Sequence, residues 1–133
     1  LWASFVLKTS EHNLFLGGDS GYDKAFASIG KTYGPFDIAM LECGQYNTMW
    51  PNIHMMPEET VQAGADLHAK ALLPVHWGKF TLALHPWREP VERALKKAQS
   101  HNITITTPMI GELLSLNQPL PQTHWWKASP SGV

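Results

Sequence analysis

Apolar positions fall in short blocks along the chain, divided by polar and glycine- or proline-bearing turns. Residues 1–8 alternate loosely and carry large apolar side chains, which predicts a strand. A polar turn over 9–12 leads into Asn13–Leu16, a second strand, so the two form an antiparallel hairpin. Over 22–33 the residues Phe26, Ile29 and Tyr33 recur at helical spacing, and Gly34-Pro35 stops that helix. Residues 36–41 predict a short buried strand. Residues 42–56 have little periodicity and read as a long loop of the kind that carries function. Pro57-Glu58-Glu59 opens a helix reaching about residue 70, with a first-turn proline and acids beside the helix N-terminus.

The run over 71–75 is almost continuously apolar, which predicts a strand buried on both faces. Pro74 counts against that strand, because it cannot donate to a ladder. Residues 79–84 are an ambiguous connector, 89–100 an amphipathic helix, and 103–106 a β-branched strand. Residues 118–133, with Pro119, Pro121 and Pro130, read as a loosely ordered tail after a domain over 1–117. The order of elements is that of an α/β protein.

Composition narrows the class. At 133 residues, 44% hydrophobic and 16% charged, the chain has enough material for one globular core. A net charge of −1 gives no reason to expect nucleic acid as a partner. No apolar run reaches the ~20 residues that span a bilayer. The single cysteine, Cys43, excludes an internal disulfide and fits a reducing compartment. The expected location is cytoplasmic, or at a membrane periphery. The chain starts at Leu1 within a strand-like run, which we read as a natural N-terminal portion being absent.

Candidate chemistry sits at two strand ends. The run Asn13–Leu16 ends in Gly17-Gly18-Asp19-Ser20-Gly21, and the run over 71–75 ends in His76-Trp77-Gly78. Sheets of α/β proteins place their sites at such ends. Asp19 also has a plain reading as a helix N-cap, and His76 as an ordinary hydrogen-bonded histidine. His54 lies in the long loop, where it could be surface decoration. Carboxylate and imidazole suit zinc, manganese or iron, and a bound cation supplies hydroxide near neutral pH. A loop histidine could then hold the oxyanion or protonate a leaving group. Two ligands do not hold a catalytic zinc, which takes three plus water. His12, His68, His85, His101 and His124 form no metal-binding spacing. The glycines over 17–21 do not match a dinucleotide fingerprint, and no phosphate-loop lysine is present.

An ordered set of segments is more specific than any one of them. Gly18-Asp19-Ser20-Gly21-Tyr22, Tyr33-Gly34-Pro35-Phe36-Asp37, Gly44-Gln45-Tyr46, His54-Met55-Met56-Pro57-Glu58-Glu59 and His76-Trp77-Gly78-Lys79-Phe80 resemble the metallo-β-lactamase superfamily. Within it they resemble the branch of N-acyl-phosphatidylethanolamine-hydrolysing phospholipase D and its bacterial relatives. The resemblance implies the C-terminal half of an αββα sandwich, a mixed sheet with flanking helices. It implies a two-metal site, usually zinc, with Asp19 bridging both ions and His76 a terminal ligand. It implies that His54 assists phosphodiester cleavage, and that Tyr46 and Trp50 border the substrate pocket. The family's H-x-H-x-D-H motif and one further histidine ligand are not in this sequence.

The expectation is therefore part of a metal-dependent hydrolase acting on a phosphodiester, ester or lactone, with a small or lipid-like substrate. The isolated chain is expected to be inactive, for want of half its ligands. Its expected partner is the rest of the same fold or a second copy of itself. The alternative is a non-catalytic α/β fragment or binding module.

Overall fold

In a computed structural model the chain is described over residues 3–80 and 82–128. The first two residues of the predicted first strand, Thr81 of the connector, and 129–133 of the predicted tail lie outside the described residues. The elements run β1 (Phe5–Lys8), β2 (Asn13–Leu16), α1 (Ala25–Tyr33), β3 (Phe36–Glu42), α2 (Pro57–Asp66), β4 (Ala69–Val75), α3 (Glu89–Ala98) and β5 (Thr104–Ile105). A single 3-10 turn follows at Trp125–Lys127.

The five strands form one sheet in chain order. β1 and β2 are the antiparallel hairpin that the turn over 9–12 predicts; every later neighbour is parallel. The sheet is thus mixed, as expected. Each parallel step is crossed by one helix. Sequential crossovers of the usual right hand put all three helices on one face. Phe15, Ala39, Leu72 and Ile105 are partners across the ladders, so they share that face. They form the core with Val61, Ala63 and Leu67 of the α2 segment and Ala94 and Ala98 of α3. The opposite face carries the partner rows Leu14-Ile38-Ala71 and Leu16-Met40-Leu73.

Boundaries differ from the sequence reading for local reasons. α1 starts at Ala25 rather than at residue 22, because Asp23 Oδ1 accepts the Ala25 N–H at 2.7 Å and starts the helix there. α2 stops at Asp66 instead of near residue 70. Leu67 is buried as its cap, and His68 turns the chain with φ 55° into a longer β4. Pro74 does sit inside β4, opposite Leu41. β5 keeps only two residues. Beyond it Thr106 N–H still donates to Leu72, while Thr106 Oγ1 and Thr107 N–H both donate to the carbonyl of Pro121. Trp126 is fully buried against Trp77, His124 and Trp125.

Candidate metal centre

Three loops meet beyond the ends of β2, β3 and β4. The first follows β2 and carries Asp19. Its Gly21 N–H donates to Asn52 O, and a Cβ on Gly21 would lie 2.3 Å from the carbonyl of Pro51. Only glycine lets the Asp19 loop lie that close to the loop bearing His54. The second loop follows β3. Its Gly44 passes the end of β4 so closely that a Cβ would sit 2.2 Å from His76 O. The third is the end of β4 itself, where His76 takes φ 64°, a left-handed backbone that is costly for a side-chain-bearing residue. Such strain is held by its surroundings and clusters at functional sites.

These loops bring together Asp19, His54 and His76. One ligand atom from each falls within 4.8 Å of the others. Asp19 Oδ2 lies 3.9 Å from His76 Nε2, and the His54 and His76 rings stack with centroids 5.2 Å apart. Asp19 and His76 face solvent, whereas His54 is largely covered. Burial lowers the His54 pKa, the neighbouring His76 lowers it further, and the Asp19 charge opposes both. The ring is therefore held in its neutral form, the form that offers a lone pair. Asp19 does not cap α1; Asp23 makes the contact at that helix start.

The other two sequence candidates lie elsewhere in the same loop region. Tyr46 is buried. Its O–H donates to Glu89 Oε1 at 2.6 Å, Arg93 covers its ring, and His85 stacks on it at 4.2 Å. Trp50 is half-buried and donates its ring N–H to Gln45 O. Neither belongs to the three-residue cluster. One residue near the cluster escaped the sequence reading. Glu42 ends β3 fully buried, with one carboxylate oxygen 3.5 Å from His54 Nδ1. Burial pushes its carboxyl up to about 8, and the Asp19 charge adds to that, against the Met55 N–H bond. The available signal was an acid directly continuing an apolar strand.

A cleft of ≈ 200 Å³ opens beside Asp19, lined by Gly17, Gly18, Ser20, Phe26, Ile29 and Asn52 among others. Among the described residues no helix is long and apolar enough to cross a membrane.

Comparison with known proteins bears on the family and the fold. The family model for the beta-lactamase superfamily domain matches residues 1–77. The chain belongs to that superfamily. An uncharacterized Mycobacterium tuberculosis protein, Rv0906, is 45% identical over 130 residues, covering 96% of this chain and 35% of its own length. The mitochondrial N-acyl-phosphatidylethanolamine-hydrolyzing phospholipase D of Saccharomyces cerevisiae is 40% identical over 99 residues, covering 70% of this chain and 21% of the enzyme. The chain thus falls in that phospholipase-like branch of the superfamily. It spans about a third or less of these two relatives' lengths. Among solved structures, Igni18, a metallo hydrolase from Ignicoccus hospitalis, superposes with a TM-score of 0.58 at 19% identity, over 77% of this chain and 40% of that one. That likeness shows the fold: it is the metallo-β-lactamase fold, here as a mixed five-stranded sheet with helices.

Proposed function

We propose that this chain supplies part of the metal centre of a hydrolase that cleaves a phosphodiester or a related ester or lactone. The convergence of Asp19, His54 and His76 from three separate loops carries the reading. The donor set fits a metal: the Asp19 carboxylate and the His76 imidazole are ligand types that zinc, manganese or iron take. His54 Nδ1 is buried without a hydrogen-bond partner, as expected of a ring held for a purpose other than packing.

In this reading Asp19 and His76 would hold the cation, zinc in the first instance. A divalent cation held there would supply Lewis-acid polarisation of the ester and a water of lowered pKa. His54, its pKa lowered by burial, would take a proton at Nε2 from the attacking water and pass it to the leaving oxygen. The cleft beside Asp19 joins apolar Phe26 and Ile29 to polar loop atoms, which suits an ester with an apolar part. A lipid-like substrate is favoured by the yeast relative, an N-acyl-phosphatidylethanolamine-hydrolyzing phospholipase D. Tyr46 and Trp50 do not line that cleft, and their polar groups are engaged with Glu89 and Gln45.

A catalytic zinc takes three protein ligands and a water, and a two-ion site takes more. The remaining ligands of a two-ion site come from the rest of the fold, so the isolated chain is expected to bind metal weakly and to lack turnover. Zinc titration of the purified chain against a chromogenic chelator tests this. Asp19→Ala and His76→Ala should each weaken binding at least about tenfold. Binding equal to the unsubstituted chain in both variants sinks the metal role. Esterase activity of the chain with zinc alone sinks the need for further ligands.

A further inference from the structure

We propose that Glu42 is a positioning residue for His54: once ionised, its carboxylate accepts the Nδ1–H of that ring and so fixes the tautomer in which Nε2 carries the lone pair. The proposal rests on the role given to His54 above and adds the residue that sets its orientation.

Glu42 is the last residue of β3 and 1% exposed. A buried carboxylate needs partners for both oxygens. Oε1 accepts the Met55 N–H at 2.5 Å, and the Gly44 backbone N–H also acts on the carboxylate. Oε2 has no hydrogen-bond partner, and His54 Nδ1 is likewise buried and without one. The two orphaned atoms lie 3.5 Å apart. A shift of a few tenths of an ångström closes a hydrogen bond between them. Two buried orphans facing each other at this distance are the two halves of one interaction.

The backbone explains why Glu42 can do this. The Glu42 carbonyl accepts Thr60 Oγ1 at 3.0 Å, and its side chain holds Met55, the neighbour of His54. One residue therefore pins both the start of α2 and the end of the long loop. With the loop fixed, the imidazole can rotate only about its side-chain bonds, and the Glu42 carboxylate selects among those rotations. A carboxylate behind an imidazole is a recurring way of setting tautomer and ring direction. Glu42 touches no substrate in this scheme. It acts only through His54.

The test is the tautomer itself, read from the ring nitrogens of the 15N-histidine-labelled chain without metal, at about pH 9 so that the carboxyl is ionised. His54→Ala assigns the resonances. The unsubstituted chain should show His54 Nδ1 in the protonated, pyrrole-type range and Nε2 in the pyridine-type range. Glu42→Gln keeps an oxygen for the Met55 N–H but presents an N–H to His54 Nδ1, so the two ranges should exchange. A purely structural Glu42 would leave them unchanged. Nε2-protonated His54 in the unsubstituted chain, or an unaltered tautomer in folded Glu42→Gln, overturns the proposal. If Glu42→Gln does not fold, the unsubstituted tautomer alone still decides. Loss of zinc binding bears on the metal reading and leaves this readout intact, so the two can fail separately.

Discussion

The Tyr22 hydroxyl donates to Asp66 Oδ2 at 2.5 Å and ties the segment after Asp19 to the end of α2. That bond, with burial and the Asp66 charge behind it, raises the phenol from 10.0 to about 12. A phenol whose pKa is raised on folding contributes its stability in full below the unfolded value of 10.0, and loses it as pH rises through about 12. At neutral pH Tyr22→Phe should cost about 1 kcal/mol, the worth of one partly exposed hydrogen bond. Urea midpoints of the two proteins should converge as pH passes about 12; a gap constant across that range would refute the assignment. At this scale Asp19, His54 and His76 were legible, because each follows an apolar run or sits in a loop without periodicity. Glu42 was not. An acid after Leu41 reads as the first residue of a loop, and only the ladder pairing with Val75 and the return of Met55 make it buried.

α3 shows how an element is fixed by its neighbours. Its amphipathic pattern predicted the helix, but the pattern does not say what the polar side meets. Arg93 grips both oxygens of Glu58 at 2.6 and 2.9 Å and also donates to Glu89, so it bolts α3 to α2 over the Tyr46 ring. Glu58 and Glu89 are held below the usual carboxylate range, Glu58 first by Arg93 and Glu89 first by Tyr46. The turn Trp125–Lys127 is a second case. Nothing in a polar, proline-bearing stretch foretells a 3-10 turn, yet Trp126 is fully buried and braces Trp77, the residue after His76. Trp126→Ala should cost ~3–5 kcal/mol in urea unfolding, as deletion of a buried indole does. A loss within ~0.5 kcal/mol would mean that this turn is not held in the core.

For the whole molecule, the sheet has one face under helices and another whose apolar rows are only half-covered. Leu14, Leu16, Met40 and Leu73 are partly exposed there, and β1 at the edge shows Phe5, Val6 and Leu7 to solvent. Sheets with such faces normally pack on a second sheet or on helices. Size-exclusion with dye binding should find the isolated chain self-associated or displaying apolar surface. A well-behaved monomer that binds no dye would contradict this. The sequence by itself determined the α/β order, the hairpin, the strand ends that bear Asp19 and His76, and the family. Those follow from periodicity, glycine and proline punctuation and short motifs, all local to the chain. Only the tertiary structure decided that Asp19, His54 and His76 meet, that buried Glu42 lies beside His54, and that Trp126 is core. Each of these depends on parallel strand register and loop contacts between residues far apart in the chain, and no local pattern encodes such distances.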